Sequence, residues 1–302
     1  MTKIKFRSAL EKNRETKGYK VFKYFNYVIL WALAALCVLP MVHVLAMSLS
    51  ERVYADAGMV GLWPKGFTFA AYQYVFNNNM FFITLKNSVI RTVGGVALTV
   101  VVNILLAFPM SKSRQEFKGR PVFLAIIVFT MFFNGGLIPT FLLMKSLNFY
   151  DTLWVYIIPG AVNTYYALLM MNFFRQLPRE IEEAARVDGC SYFGVLLRIV
   201  LPLSTPVLAT IVLYAFVGHW NSWFDGKIYS ATSMNYPLQT MLYDMLQTLI
   251  SNSMSQAEAL EKLGGNSVSS AQIFITMLPI IVAYPFLQKY FVKGIVLGSV
   301  KG

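Results

Sequence analysis

The sequence predicts an all-α membrane protein that crosses the bilayer six times. Its 302 residues are 57% hydrophobic and only 13% charged, which is about half the charged fraction of a typical soluble domain. Six apolar stretches are each long enough for a membrane helix, which needs about 20 residues. Lys and Arg are distributed unevenly among the segments between these stretches, as expected for a protein with a fixed orientation in the membrane.

The six predicted spans contain no Asp, Glu, Lys or Arg. They are residues 25–49, 92–111, 121–144, 152–174, 199–224 and 271–288. The first is longer than the 7–15 residues of a signal-peptide core, so we expect it to be retained. The fifth and sixth contain prolines, which membrane helices tolerate where neighbouring groups satisfy the freed carbonyls. Arg91 lies just outside the second span, where its long side chain is expected to snorkel to the membrane surface.

The basic residues predict that both termini are cytoplasmic. With six spans, the termini and two connecting segments share one side of the membrane and hold 19 of the 26 Lys and Arg, whereas the acidic residues divide seven and seven. That basic side is expected to face the cytoplasm. Its segments are residues 1–24, 112–120, 175–198 and 289–302.

Three regions follow from this orientation. Residues 1–24 form a basic cytoplasmic segment attracted to anionic lipid, residues 25–292 form the membrane domain, and residues 293–302 form a cytoplasmic tail. Residues 50–90 and 225–270 are external.

The external segments differ in character. Residues 54–76 combine aromatic and turn residues, and they are expected to pack as a cap. Residues 253–270 predict a short helix, a break at Gly264 and Gly265, and a polar run.

Several functions are disfavoured by composition. Cys37 and Cys190 are expected at different depths, so a disulfide is not predicted. Two cysteines and two histidines, without H-E-x-x-H or C-x-x-C, predict no metal site. The net charge of +12 comes from residues that flank apolar runs, so no nucleic-acid partner is expected.

The segment 178–202 stands out because it is charged. Pro178 suits the first turn of a helix. Glu180, Glu182 and Glu183 then lie near its positive end. The sequence thus predicts a helix whose mostly small face, at 181, 184 and 185, allows close approach.

A second helix is predicted directly after the first. Gly189 can take the positive φ that ends a helix, and Ser191 can cap a helix over residues 192–201. Asp188 lies at the negative end of the first helix and is expected to find a capping N–H or an arginine. From the residues alone, this segment is either a solvated loop or a docking surface for a cytosolic partner.

The stretch EEAARVDGCSYFGVLLRIVLP resembles the EAA loop of ABC importer membrane subunits. Cys190 replaces the usual Ala, and Leu196 stands where Phe is common. The matching positions are Glu183, Ala184, Ala185, Asp188, Gly189, Leu201 and Pro202.

Four further stretches are similar to the carbohydrate branch of these permeases, the maltose-importer type. Within that branch they resemble the subfamily that takes up larger oligosaccharides such as alginate or pectin fragments. These stretches are LPMVHVLAMSLS, FNGGLIPTFLLMKSLNFYDT, GHWNSWFDGKIY and KYFVKGIVLGSVKG. The resemblance covers nearly the whole chain.

The resemblance implies a type I ABC importer fold in the bacterial cytoplasmic membrane. It also implies a second, related permease as a heterodimer partner, two ATPase subunits that bind ATP and Mg, and an extracytoplasmic binding protein that delivers an oligosaccharide. The external loop of residues 225–270 would either contact that binding protein or be a plain exposed loop. Since no G-x-x-x-x-G-K-[ST] occurs, this chain is expected to be non-catalytic and without cofactors. The residues implied in coupling to the ATPase are Glu183, Ala184, Ala185, Arg186, Asp188 and Gly189.

Polar side chains inside spans are candidate sugar contacts, because such groups are costly in a membrane and often functional. The candidates are Asn134, Asn163, Thr164, Tyr165, His219, Trp220 and Asn221. Each has a structural alternative. Asn134 would satisfy a broken helix, Asn163 would bond across helices, and residues 219–223 would form an interfacial aromatic belt.

Three other functions are alternatives to the import of oligosaccharides. A stand-alone secondary transporter or channel is disfavoured, because proton coupling generally needs carboxylates within the spans. A membrane enzyme is disfavoured, because no nucleophile–base pair or metal cluster stands out. Within the ABC class, another small solute is an alternative cargo.

Overall fold

The structure is a computed structural model that describes residues 17–251 and 265–299. In these ranges all regular elements are helical, and extended pairing is limited to one bridge between Ser50 and Phe67. The helices in chain order are α1 Lys17–Ser48, α2 Arg52–Asp56, α3 Ala70–Phe76, α4 Asn79–Ser111, α5 Arg120–Phe132, α6 Leu137–Ser146, α7 Thr164–Phe174, α8 Arg179–Val187, α9 Tyr192–Leu203, α10 Thr205–Asn221, α11 Phe224–Tyr229, α12 Leu238–Ser251 and α13 Gly265–Ser299. Short 3₁₀ helices cover Leu153–Tyr156 and Ser233–Asn235.

Among the described residues, three helices are long and apolar enough to cross a membrane, namely α1, α4 and the first part of α13. Two bent pairs, α5 with α6 and α9 with α10, raise this number to five if each pair is one span. The fourth predicted span, residues 152–174, is not one helix. It consists of the 3₁₀ helix Leu153–Tyr156, a non-helical stretch and the 11-residue α7. Pro159 cannot donate a helical hydrogen bond, and the Asn163 side chain caps α7 by accepting from Tyr166 N at 3.1 Å.

The third predicted span, residues 121–144, is also interrupted. α5 and α6 meet at an angle of 116° around Asn134, Gly135 and Gly136. Gly136 has φ +86°, which favours glycine. Its N–H donates to Asn134 Oδ1 at 2.9 Å. Asn134 therefore has the structural role of satisfying a broken helix.

The fifth predicted span, residues 199–224, covers the end of α9 and the whole of α10, which meet at a bend of 83°. α9 contains a π-helical segment, Leu196–Val200, directly before Pro202. The next proline, Pro206, cannot donate to the Pro202 carbonyl. Thr205 Oγ1 donates to that carbonyl instead, at 2.7 Å, which is how membrane helices accommodate proline.

The second and sixth spans are longer than predicted. α4 begins at Asn79 and α13 at Gly265. The prediction that the polar run over 265–270 belongs to a loop is therefore wrong, because these residues form the first turns of α13 and are largely buried. The rest of that predicted loop, residues 252–264, lies outside the described residues, as do residues 1–16 of the basic N-terminal segment and 300–302 of the tail.

The core lies where α4 packs against α7 and α10. Its fully buried members include Met170, Val195, Val200 and Ile211. α1 lies at the edge, packs mainly against α13, and is exposed over nearly all of residues 18–40. Exposed apolar side chains on a membrane helix suit contact with lipid or with another subunit.

A small cap lies at the start of α13. α2 and α3 pack on the start of α13, with Ala55, Ala71 and Val75 buried. Asn266 N donates to Asp56 Oδ1 at 2.7 Å. Residues 54–76 thus fold onto the membrane helices, as their composition predicts.

Candidate functional site

The charged segment is a helix, a glycine turn and a second helix, as predicted. α8 follows Pro178, and the turn at Gly189 has φ +83°. Ser191 Oγ accepts from Gly194 N at 3.1 Å and so caps α9. These local signals all lie in the sequence, which is why the geometry of the segment could be predicted.

The outward face of this segment is exposed. Glu183, Ala184 and Asp188 are exposed, and Val187 reaches 88% exposure. Within residues 17–251 and 265–299, neither the Glu183 nor the Asp188 carboxylate has a hydrogen-bond or ion-pair partner. The expectation that Asp188 contacts a capping N–H or an arginine is therefore wrong for this part of the chain.

The inward face of α8 is fixed to the end of α4. Glu182 forms an ion pair with Lys112, and Arg186 contacts Glu116 at 3.3 Å. The Arg186 guanidinium also lies over the Tyr192 ring, 4.6 Å from its centroid. Arg186 therefore braces the segment internally, whereas Glu183 and Asp188 face outward.

The electrostatics of Glu116 favour this brace. Burial alone would raise the pKa of Glu116. Hydrogen bonds from the Ser113 N–H and hydroxyl, with the charges of Lys112 and Arg186, outweigh burial and hold the pKa below the usual 4.5. Glu116 is therefore ionised at neutral pH and can pair with Arg186.

A cavity of about 310 Å³ lies among α4, the stretch before α7, and α10. Its lining combines aromatic rings with neutral hydrogen-bonding groups. These residues are Thr99, Tyr156, Asn163, Tyr166, His219 and Tyr229. A cavity with rings and a few polar groups is typical of small-molecule sites.

A buried ion pair closes one side of this cavity. Arg91 is only 3% exposed, so the expectation that it snorkels is wrong. Its guanidinium pairs with Asp225, donates to Ser222 O at 2.9 Å, and lies 5.1 Å from the Tyr156 ring centroid. The pair neutralises the Arg91 charge and fixes α4 to the start of α11.

Asn103 fixes the other side. Its side chain donates to Ala161 O at 2.9 Å and accepts from Asn163 N at 3.2 Å. Asn103 is fully buried, so these bonds hold the non-helical stretch against α4. Asn163 therefore bonds across helices through its backbone while its side chain caps α7.

The predicted sugar contacts do not lie together in the structure. Asn163 and His219 line the cavity. Asn134, Tyr165 and Asn221 are exposed outside it, and Thr164 lies 3.5 Å from Thr130.

Trp220 lies apart from the other candidates. It is 4% exposed, and its Nε1 donates to Thr276 O at 2.9 Å. Trp220 packs α10 against α13, so it has a structural role.

The remaining cavity residues were hardly indicated by the sequence pattern. Tyr156, Asp225 and Tyr229 lie in short elements outside the long apolar helices, and only the fold brings them to α4. The one available signal was Arg91 beside an uncharged span, with an acidic residue following the fifth span.

Comparison with known proteins identifies the family. Residues 91–297 match the family described as binding-protein-dependent transport system inner membrane component. The chain is 40% identical to Protein LplC of Bacillus subtilis (strain 168), covering 95% of this chain and 97% of the relative. It is 37% identical to the polygalacturonan/rhamnogalacturonan transport system permease protein YtcP of the same organism, covering 94% and 99%.

Solved structures agree with this assignment. The chain is similar to a chain of a bacterial ABC transporter involved in the import of the acidic polysaccharide alginate, with a TM-score of 0.82, 32% identity and coverage of 91% and 98%. A chain of an alginate ABC transporter in complex with a pentasaccharide-bound periplasmic protein has a TM-score of 0.55 at 14% identity, with coverage of 89% and 92%, and shows the fold alone. The chain belongs to the binding-protein-dependent transport system inner membrane components, multi-pass proteins of the bacterial cytoplasmic membrane with the type I importer fold.

Proposed function

We propose that this chain is the permease subunit of an ATP-driven oligosaccharide importer. It receives cargo from an extracytoplasmic binding protein, pairs with a second, related permease, and is driven by two separate ATPase subunits that bind ATP and Mg. This chain itself is non-catalytic. The observation that carries the proposal is the exposed helix–turn–helix segment, whose Glu183 and Asp188 carboxylates have no partner in the described chain.

The proposed topology has six spans with both termini in the cytoplasm. The bent pair α5–α6 is the third span, residues 153–174 form an interrupted fourth span, and α10 is the fifth. α10 has 17 residues, which give about 26 Å of helix, close to the thickness of the hydrocarbon core. α9 then lies on the cytoplasmic face with α8, where the basic residues concentrate.

The coupling segment supports an ATPase partner. In this proposal Glu183, Ala184, Asp188 and Gly189 face the ATPase, while Ala185 packs towards the core of the permease. Exposed carboxylates that find no internal partner are available for hydrogen bonds and ion pairs across an interface. Arg186 contributes indirectly, by holding α8 in place.

The second permease is supported by α1. This helix presents apolar side chains around almost its whole circumference over residues 18–40. Contact with one neighbouring helix, α13, leaves most of that surface for lipid or for a partner. A related permease that also has apolar surface to cover would pack against this chain and form a heterodimer.

The cavity supports a sugar cargo. Tyr156, Tyr166 and Tyr229 offer ring faces, whereas Thr99, Asn163 and His219 offer neutral donors and acceptors for hydroxyl groups. Because Asp225 neutralises Arg91, hydroxyl recognition dominates over charge. The relatives include YtcP and, at 29% identity, the arabinooligosaccharide permease AraQ of Halalkalibacterium halodurans, so an oligosaccharide is the cargo that fits both comparisons.

The test is uptake into proteoliposomes that contain this chain with the second permease and the ATPase. Labelled oligogalacturonides and arabino-oligosaccharides are offered with the binding protein. We expect uptake that requires both ATP and the binding protein. Uptake driven by a proton gradient without ATP would contradict the proposal and favour a secondary transporter.

The cavity is tested separately with Asn163→Ala. Asn172→Ala is the matched control, because Asn172 is exposed near the far end of the same helix. We expect the first variant to weaken the dependence of ATPase stimulation on cargo and the second to leave it unchanged. Equal behaviour of the two variants would remove Asn163 from the cargo site.

A further inference from the structure

Two ion pairs connect α8 of the coupling segment to the end of α4 and to the loop that follows it, whereas α10 is reached only through α9. Glu182 on α8 pairs with Lys112, the residue that follows α4, and Arg186 on α8 contacts Glu116 at 3.3 Å. Lys112 is only 9% exposed, which is rare for lysine unless it is paired. Its ammonium also lies 4.2 Å from the Phe108 ring centroid, so the lysine is held on both sides.

The loop that carries Glu116 is itself tied to α4. Glu116 accepts from the Ser113 N–H at 3.1 Å and from its hydroxyl at 3.0 Å, and Glu116 N donates back to Ser113 Oγ at 3.3 Å. This reciprocal pattern fixes a chain turn in the same way as a helix capping box. At the far end of the loop, Arg120 Nε donates to Met110 O at 2.9 Å. A displacement of Glu116 is therefore passed to the end of α4.

α4 leads from these contacts to the cavity as one helix, whose single proline, Pro109, lies in its last turn. It is one continuous helix over Asn79–Ser111, and it carries Arg91 and Thr99 in the cavity wall. Asn103 on the same helix holds the backbone of residues 161 and 163. About 31 Å of helix separates Lys112 from Arg91 at 1.5 Å per residue.

The route through α9 and α10 is less direct. It contains the π-helical segment Leu196–Val200 and an 83° bend. Ser204 lies at that bend, and its buried hydroxyl has no hydrogen-bond partner in the described chain. The bend has local causes in the π-helical segment and the prolines beside it, so this route is not one continuous helix.

We propose that Lys112, Glu116, Glu182 and Arg186 are positioning residues that make α4 a second mechanical connection between the coupling segment and the cavity. Movement of α8 is transmitted through the two ion pairs to α4, and α4 shifts the cavity wall. The ATPase supplies that movement, so this inference rests on the proposed function.

The test reverses the charges of the ion pair between Lys112 and Glu182. The variants are Lys112→Glu, Glu182→Lys and the double variant that carries both changes. Lys112→Arg keeps the charge, and Lys118→Glu is the matched control, because Lys118 is exposed on the same loop and unpaired within the described residues. Each is assembled with its partners, and the sugar imported per ATP hydrolysed is measured with the basal ATPase rate and the amount of ATPase retained.

We expect each single reversal to lower the sugar imported per ATP about tenfold, within the usual range of coupling between sites. The basal ATPase rate and the retained ATPase should not change. The double variant should recover most of the sugar imported per ATP, and Lys112→Arg should retain most of it. Lys118→Glu should match the wild type. Recovery by the exchanged pair separates positioning from a general loss of folding.

Two results would overturn the inference. One is a normal ratio of sugar to ATP in both single reversals. The other is a double variant that assembles normally yet performs no better than the single variants. Failure of the proposed function is distinguishable, because then the wild-type chain itself would retain no ATPase.

Discussion

Substitution of Gly189 changes the angle between α8 and α9 without changing their contacts. Gly189 has φ +83°, and a Cβ added there would meet no atom within 4 Å. The cost of a side chain is therefore backbone strain alone, because no neighbour has to move. Residues held in sparsely populated backbone regions cost about 1–3 kcal/mol.

The expected loss depends on the side chain in a definite order. Asn enters the left-handed region several times more readily than most residues, whereas β-branched Val is an outlier there. Val should therefore lie near the upper end of this range and Asn near the lower end, with Ala between them. A range of about 1–3 kcal/mol corresponds to a change of about fivefold to about 150-fold in the population of the native turn.

The assay is ATPase stimulation by the cargo-loaded binding protein, with uptake measured in parallel. The chains compared are wild type, Gly189→Asn, Gly189→Ala and Gly189→Val, at equal amounts in the membrane. Gly61→Val is the control, because Gly61 also has open space around its Cβ position but no left-handed φ. We expect stimulation to fall from Gly through Asn and Ala to Val, while the control is unaffected. Wild-type stimulation in Gly189→Val would refute the reasoning.

Three further substitutions test the packing around the cavity. Arg91→Met leaves the Asp225 carboxylate without its cation. Since Asp225 is 24% exposed, we expect the protein to lose somewhat less stability than the about 3–5 kcal/mol of a fully buried pair. The loss is measured as a lower unfolding temperature in detergent, and adding Asp225→Asn should partly restore it. Trp220→Ala should cost about 3–5 kcal/mol by the same measurement and leave cargo affinity unchanged; a change in affinity alone would make Trp220 a sugar contact. Gly95→Ala places a Cβ within 2.5 Å of the His219 ring, so the ring must move, and cargo-dependent ATPase stimulation should weaken; unchanged stimulation would exclude His219 from the cargo site.

The coupling segment was predictable because its signals are local. Pro178, Gly189 and Ser191 each act on their own turn, and the structure has all three in the expected roles. Helix start and stop signals depend on backbone geometry within a few residues. They need no knowledge of the rest of the fold.

The span boundaries were less predictable because apolar composition does not reveal interruptions. Residues 152–174 and 121–144 carry no charge, yet the side chains of Asn163 and Asn134 accept from backbone N–H groups where α7 and α6 begin. α13 extends into a polar stretch because α2, α3 and α12 pack on it. Tertiary contacts of this kind override local composition.

The cavity residues were predictable only in part, because tertiary contacts bring some of them together. Asn163 and His219 are polar residues in apolar stretches, and this pattern identified them. Arg91 and Asp225 are separated by more than a hundred residues, and their pairing replaces the expected contact of Arg91 with the membrane surface. A buried pair between distant segments leaves no periodic pattern in a single sequence.

The most direct test of the coupling account is ATPase co-purification followed by a stimulation assay. The chain is co-expressed with the second permease and the ATPase, extracted in mild detergent, and assayed with and without the loaded binding protein. The account predicts that the ATPase remains bound and that the loaded binding protein raises its rate of hydrolysis. Recovery of the intact permease pair without any ATPase would contradict the account.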